Sequence, residues 1–176
     1  MDCKEIIEEI ISIEAYKDSD ISFSYPSVLM PRTISSSDYS VTPGKGMLVF
    51  FDEDDPPLLK EKYSDTRGGG YRTVNISWSS SNTDEKNIAQ QEELAKDFHH
   101  FIFTCLDRRK IMLRTDEFIY KFTTSFNGKT MESSLSFSSE TGLQFIEPNP
   151  EEPNIPIIPQ KPSLLNEKGL PILLEY

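Results

Sequence analysis

The sequence predicts an α+β domain: a mostly antiparallel sheet, packed by one long central helix and an N-terminal helix, and followed by an extended proline-rich arm. Three observations lead to this prediction. Apolar residues recur at helical spacing in two segments, they alternate with polar residues in others, and proline becomes dense near the C-terminus. The 176 residues suffice for one domain and an appendage, which we place at residues 1–147 and 148–176.

The N-terminal helix is predicted at residues 3–16. Ile6, Ile10 and Ile13 follow one another at spacings of four and three, which marks one apolar stripe on a helix. Asp2 and Glu5 have the spacing of a capping box at the start of this helix.

The long central helix is predicted to begin after Asn82 and to end at Asp107, over about 22 residues. Its apolar positions recur at spacings of seven, three, four and three along the sequence: Ile88, Ala95, Phe98, Ile102 and Cys105. Cys3 and Cys105 then lie in different helices, so no disulfide framework is indicated, and reduced thiols suit a protein that folds in a cytosol.

Strands are predicted on both sides of this helix. Residues 47–51 form a short apolar run that is typical of a buried strand, and residues 71–78 alternate, with Val74, Ile76 and Trp78 on one side. The glycines at 68–70 lack the spacing of a nucleotide-binding loop and are interpreted as a flexible joint.

After the helix, the chain predicts an antiparallel hairpin. Aromatic residues alternate up to Phe126, the pair Asn127-Gly128 follows, and apolar residues alternate again through Leu135. Asn-Gly favours a two-residue type I′ turn, which sets Phe126 opposite Lys129. Phe122 and Leu135 are then expected to be buried on the same face.

Composition excludes two classes of function. The formal net charge is −11, and the densest basic run, at residues 108–110, is short, so sequence-specific nucleic-acid binding is not expected. No run of about 18 apolar residues is present, so no membrane-spanning helix is predicted, and the acidic charge also disfavours a membrane-surface role.

No enzyme active site, cofactor site or metal site is predicted. On the predicted helix, His99 and His100 would point about 120° and about 140° away from Cys105, which prevents shared zinc ligation or a Cys–His nucleophile. Residues 52–55 are all acidic, but their spacing does not match an EF-hand, and we interpret them as a solvated loop.

The arm is predicted to dock on a partner. Seven of the twelve prolines lie between Pro148 and Pro171, and this density favours an extended path. A plain linker would be polar, whereas this segment carries ten apolar or aromatic residues that we expect to contact a partner: Ile155, Ile157, Ile158, Leu164, Leu165, Leu170, Ile172, Leu173, Leu174 and Tyr176. A strap over its own domain is the alternative.

Residues 72–141 carry a resemblance to a known class of proteins. A strand at 73–77, a long packing helix, and strands at 111–114 and 118–126 resemble the order found in neck and tail-terminator proteins of tailed bacteriophages. The resemblance implies a non-enzymatic subunit of a homo-oligomeric ring at the head–tail connection of a virion, in contact with other virion proteins and assembled in the host cytoplasm. It carries no catalytic residues, and the acidic loop and the arm depart from it.

Two alternatives remain open. One is a monomeric binding or adaptor module with a cleft between the central helix and the sheet. The other is a metal-dependent hydrolase that uses the acidic loop at residues 52–55.

Overall fold

The computed structural model describes residues 5–27, 30–97, 99–115 and 120–148 of the chain. The ten predicted docking residues of the arm lie outside these described residues. Docking of the arm on a partner therefore stays a prediction.

The described residues form twelve strands and one α-helix. In chain order these are β1 (Glu5–Lys17), β2 (Ile21–Phe23), β3 (Thr33–Ile34), β4 (Tyr39–Val41), β5 (Met47–Leu48), β6 (Leu58–Thr66), β7 (Gly69–Ser80), α1 (Glu85–Lys96), β8 (His99–Cys105), β9 (Lys110–Leu113), β10 (Lys121–Phe126), β11 (Met131–Ser139) and β12 (Gln144–Ile146). A single 3-10 turn at Asp18–Asp20 joins β1 to β2. The predicted α+β class, with a sheet packed by two helices, is therefore wrong, because the described residues form a large sheet with one short helix.

Ten strands belong to one sheet, with the order β10-β11-β7-β6-β1-β8-β9-β12-β3 and β5 paired to β1. All of these pairs are antiparallel except β12 with β3. Strand β1 joins two half-sheets, since its first half pairs with β6 and its second half with β8. β2 and β4 form a separate antiparallel pair.

The two half-sheets bury residues in one apolar cluster. Val74, Leu135 and Phe137 come from one half, and Phe101 and Phe103 come from the other. A second, smaller cluster includes Ile102 and Met112, the residues of β8 and β9 that point away from the main core, and it takes residues of the β2–β4 pair. Both faces of β8 are thus covered, which explains its almost continuous apolar sequence.

The predicted N-terminal helix is wrong, because this segment is strand β1. The ladder with β8 pairs Ile10 with Cys105 and Ser12 with Thr104, so Ile11 is an extra residue that forms a β-bulge. A bulge reverses the alternation of faces, and Ile10 and Ile13, three residues apart, are therefore both fully buried. The spacing of four and then three that imitates a helix is the signature of a strand with one bulge.

The long central helix is also wrong in extent. Helix α1 has twelve residues and is capped by Asp84, not Asn82, since the Asp84 carboxylate accepts a hydrogen bond from the Asn87 backbone N–H at 2.8 Å. Asp97 is extended and ends the helix. The second part of the predicted helix forms β8 because its aromatic and β-branched residues pair with β1 and β9 on both sides.

The predicted strand at 71–78 is confirmed within β7, where Val74, Ile76 and Trp78 are buried. The strand predicted at 47–51 is shorter than expected, since only Met47–Leu48 pairs with β1. The glycines at 68–70 are not a flexible joint: they close the β6–β7 hairpin, in which Thr66 pairs with Gly69.

The hairpin of β10 and β11 is confirmed, but its predicted register is wrong by two residues. Phe126 pairs with Met131, and Phe122 pairs with Leu135. The Asn127 side chain accepts hydrogen bonds from the backbone N–H groups of Lys129 (3.1 Å) and Thr130 (2.9 Å), which places Asn127 before the turn rather than in its centre. Gly128 and Lys129 are the central residues, and Gly128 has a φ of 89°. A shift of two preserves the faces, so Leu135 is buried as predicted and Phe122 is half-buried.

A buried ion cluster ties the sheet to the loop before β12. The carboxylate of Glu61, a residue only 2% exposed, accepts hydrogen bonds from Arg32 Nη1 at 2.8 Å and from the Leu143 backbone N–H at 2.7 Å. Arg72 Nε lies 3.5 Å from the same carboxylate. Two cations and one N–H therefore depend on a single buried anion.

Candidate functional site

A cleft of about 470 Å³ lies at one side of helix α1, between the helix, the end of β1 and residues 44–50. Lys86, Gln90 and Glu93 form the helical side, since residues four and three apart lie on one face of a helix. The sheet side and the facing wall are formed by Ala15, Lys17, Asp20, His99, and the segment 44–48 together with Phe50.

His99 lines the cleft and is 1% exposed. Its Nδ1 lies 2.9 Å from the carbonyl oxygen of Asp97. A carbonyl can only accept, so Nδ1 carries the proton and Nε2 is an acceptor. This Nε2 has no hydrogen-bond partner among the described residues, and a buried acceptor left in that condition costs about 1–3 kcal/mol.

Burial keeps the His99 ring neutral, and Tyr120 holds the backbone on both sides of it. Burial lowers the pKa of His99, so the ring is neutral near pH 7, although the Asp97 carbonyl and the Glu93 carboxylate oppose this shift. The hydroxyl of Tyr120 accepts a hydrogen bond from the His99 backbone N–H at 3.0 Å and donates one to the Asp97 carbonyl at 2.7 Å. Burial raises the pKa of Tyr120 to about 12, so this hydroxyl stays protonated.

An ion pair joins the helix to the end of β1. Lys17 Nζ lies 2.7 Å from a carboxylate oxygen of Glu93 and 3.5 Å from one of Asp97. The hydrogen bond with Glu93 is the main reason that the pKa of Lys17 is raised. Lys17 and Glu93 therefore neutralise each other at one side of the cleft.

The opposite wall is a tight turn. Residues 42–45 are Thr-Pro-Gly-Lys, the Lys45 backbone N–H donates to the Thr42 carbonyl at 3.1 Å, and Gly44 has a φ of 75°. These features define a type II β-turn with proline and glycine at its two central positions. The next residue, Gly46, has a φ of 94°, and a Cβ atom there would come within 3.0 Å of the Tyr16 ring. The turn is therefore held against Tyr16, and it sets Lys45 at the edge of the cleft.

Gln90 fastens the helix to this wall. Its Nε2 donates to the Leu48 carbonyl at 2.8 Å, and its Oε1 accepts from the Phe50 backbone N–H at 3.2 Å. The Gln90 side chain thus satisfies the Leu48 carbonyl and the Phe50 N–H, two backbone groups at the point where strand β5 ends.

His100 and Cys105, the other two residues weighed from the sequence as metal ligands or nucleophile, lie outside the cleft lining. His99 and Cys105 share one face of β8 but lie six residues apart, about 20 Å along a strand. His100 points to the other face, where its Nε2 lies 3.0 Å from Asp18 Oδ1 and its Nδ1 accepts from the Thr115 backbone N–H at 3.0 Å. The predicted helix geometry was wrong, yet these side chains still do not converge. Burial raises the pKa of the Cys105 thiol to about 11, which makes it a poor nucleophile.

The acidic loop at residues 52–55 has a structural contact. The Asp52 carboxylate accepts hydrogen bonds from the Ser81 backbone N–H and from the Ser81 hydroxyl, both at 2.9 Å, and so fixes the end of β7. Within the described ranges, no three His, Cys, Asp or Glu side chains are grouped closely enough to hold a metal ion.

A second concavity of about 390 Å³ lies over β7, β10 and β11. Small hydroxyl side chains such as Ser77, Ser79, Thr123 and Ser134 line it. Trp78 also borders it, but the Trp78 side chain belongs to the main core, because neighbouring residues of a strand point to opposite faces. The Trp78 Nε1 donor is also buried without a partner among the described residues, but no lysine, arginine or histidine lines this groove. We therefore regard the helix–sheet cleft, where His99 lies with three lysines, as the candidate site.

No family model matches this chain, and the comparisons with curated proteins and with solved structures give no match either. In the part of the chain that the structure describes, no helix has the length and apolar character needed to cross a bilayer.

The sequence offered a helix–sheet cleft as an alternative but predicted none of its residues, because it placed His99 on a helix. The signal was present: residues 99–105 are rich in aromatic and β-branched side chains, which favour a strand. The Thr-Pro-Gly-Lys turn was also readable from its proline and glycine. The contacts of Lys17, Gln90 and Glu93 had no such signal, since they depend on how the elements pack.

Proposed function

We propose that this protein is a non-enzymatic binding module that accepts a small ligand in the helix–sheet cleft. The single observation that carries the proposal is the buried Nε2 of His99, an acceptor without a partner among the described residues, in a side chain that lines the cleft. Native proteins seldom leave such an atom unsatisfied, and its place in a cleft is typical of a ligand site.

Binding is favoured over catalysis by the chemistry of the lining. Its residues include no serine, threonine, cysteine or tyrosine that could act as a nucleophile next to His99. Of the two carboxylates in the lining, Asp20 and Glu93, the Glu93 carboxylate is paired with Lys17. The cleft can hold and orient a ligand, and among the described residues its lining contains no hydroxyl or thiol nucleophile for His99 to activate.

The test is a fragment screen by two-dimensional amide NMR on the full chain. Bound fragments should shift the amide signals of residues 44–50, of the 86–93 part of α1, and of His99. The hydroxyl groove provides the internal control, because its signals at 77–79 and 132–134 should stay fixed. A screen in which fragments shift only the groove signals, or none at all, would refute the proposal.

The virion neck or tail-terminator role is a second proposal. The long packing helix on which the resemblance depended is replaced by α1 and β8, so this role takes second place. One observation favours assembly: β10 is the outermost strand of the sheet among the described residues, and it is largely exposed. An edge of this kind can accept a strand from another chain.

Native mass spectrometry separates the two proposals. A ring subunit should give one defined oligomer, and a variant that lacks residues 148–176 should lose it. A full-length chain that stays monomeric at high concentration would argue against the assembly role and leave the binding module in place.

A further inference from the structure

We propose that the ligand of the helix–sheet cleft is a small carboxylic acid that has an apolar body and an N–H or O–H donor. The donor binds His99 Nε2, and the carboxylate lies between Lys45 and Lys86. This inference rests on the proposed function and specifies its ligand.

The donor follows from the histidine. The Asp97 backbone carbonyl accepts the hydrogen bond from Nδ1–H, so the other ring nitrogen of His99, Nε2, can only accept a hydrogen bond. A ligand that satisfies it must therefore present an N–H or O–H group, and a purely apolar ligand would leave it unsatisfied.

The carboxylate follows from the charges. Three lysines and two carboxylates line the cleft, which leaves one positive charge in a chain whose net charge is −11. Lys17 is occupied by Glu93 and Asp97. Lys45 and Lys86 have no ion pair with another described residue, so they are the cations left for a ligand. One net positive charge beside two acidic side chains suits a monoanion better than a doubly charged phosphate.

The apolar body follows from the wall between these groups. Leu48 is 57% exposed and Phe50 is 40% exposed, and both line the cleft with Met47 and Ala15. Exposed side chains of this size beside convergent polar groups are typical of small-molecule sites. The cleft thus offers an acceptor, two cations and an apolar surface, and a carboxylic acid with a ring or short alkyl chain and one donor matches all three.

The experiment uses isothermal titration calorimetry with the full chain and a matched set of probes. The three isomers of hydroxyphenylacetate carry all three features, phenylacetate lacks the donor, and 2-(4-hydroxyphenyl)ethanol lacks the charge. The best isomer should bind about three- to tenfold more tightly than phenylacetate, the value of one hydrogen bond. Equal affinity for the best isomer and phenylacetate, or for the acid and the alcohol, would overturn the proposal.

Variants assign each contact. Lys86→Met should weaken all the acids by about two- to fivefold while the ratio between hydroxylated and parent acid stays constant. Lys60→Met, a change at an exposed lysine of β6, is the control and should have no effect. His99→Phe should remove the difference between the hydroxylated and parent acids without abolishing the binding of phenylacetate.

A direct measurement covers the case in which His99→Phe does not fold. In protein labelled with ¹⁵N-histidine, the Nε2 signal of His99 should move when the best hydroxyphenylacetate binds and should move much less with phenylacetate. An Nε2 signal that responds equally to both would refute the role of His99. If none of the carboxylic acids binds while other fragments shift the cleft signals, this inference fails and the proposed function survives; if no fragment shifts them, the proposed function fails as well.

Discussion

Gly46 and Gly44 form a pair of positions that tests how the wall of the cleft is held in place. Both have positive φ, 94° and 75°, and alanine at either position costs about 1–2 kcal/mol for the left-handed conformation. Alanine also restricts the unfolded chain, which returns about 0.4–1 kcal/mol. The expected loss of stability for Gly44→Ala, where nothing lies within 4 Å of the added Cβ, is therefore about 1 kcal/mol or less.

Gly46→Ala has a second cost. Its Cβ would enter the ring of Tyr16, a residue only 8% exposed that has little room to retreat. Overpacking of this kind costs about 1–3 kcal/mol, so the total for Gly46→Ala is about 1–4 kcal/mol. The larger loss would come entirely from contact with the tyrosine ring.

Urea denaturation of both variants and the wild type, in the full chain, measures the difference. Gly46→Ala should be less stable than Gly44→Ala by about 1–3 kcal/mol, and in a Tyr16→Ala background the two glycine substitutions should cost the same. Equal losses in the wild-type background would show that Tyr16 does not hold the turn, and the description of this wall would be wrong.

Three further predictions concern the core and the candidate site. Glu61→Ala should destabilise the protein by about 1–3 kcal/mol in urea denaturation because the buried Leu143 N–H loses its acceptor, and Arg32 and Arg72, whose side chains are 32% and 28% exposed, lose their anion, whereas Glu132→Ala, at an exposed position, should cost little. Leu135→Ala should cost about 2–4 kcal/mol through the cavity that it leaves, and a loss below about 1 kcal/mol would contradict the burial of this side chain. Stability should fall on acidification below about pH 6.5, the ordinary pKa of histidine, because the folded-state pKa of His99 is lowered and the unfolded chain takes up the proton first. The contribution of His99 to stability is complete above that pH and is lost as the pH falls through the folded-state pKa. Thermal melts from pH 7.5 to 5.5 should show a melting temperature that depends less steeply on pH in His99→Gln than in the wild type. Identical pH dependence in the two proteins would refute the assignment.

The strands with regular alternation could be predicted from sequence, and the elements that break alternation could not. In β7, every second residue from Val74 to Trp78 is buried, and the pattern needs no knowledge of the partner strands. In β1, the bulge at Ile11 changes the period at one point, and the result has helical spacing. Only the pairing with β8 distinguishes the two interpretations.

Helix α1 illustrates the opposite case. Its buried residues are Asn87, Gln91 and Leu94, so two of the three are polar and give no apolar stripe. The prediction therefore took its apolar positions partly from β8. The residues of the candidate site could not be predicted either, because His99, its central residue, was assigned to a helix and not to β8.

The polar underside of α1 determines how the cleft can open. Asn87 Nδ2 donates to Ser80 Oγ at 2.9 Å, and Gln91 Oε1 accepts from Ser133 Oγ at 2.7 Å, so hydrogen bonds, not apolar area, provide much of the attachment of the helix. Water can replace such bonds at little net cost, about 0.5–1.5 kcal/mol each. Leu94 is the one apolar side chain of the helix that is fully buried. Amide hydrogen exchange should accordingly be faster in α1 than in β7 and β8 by a route that leaves the sheet intact. A ligand that reaches the cleft by lifting α1 would thus need to break these side-chain hydrogen bonds and no ladder of the sheet.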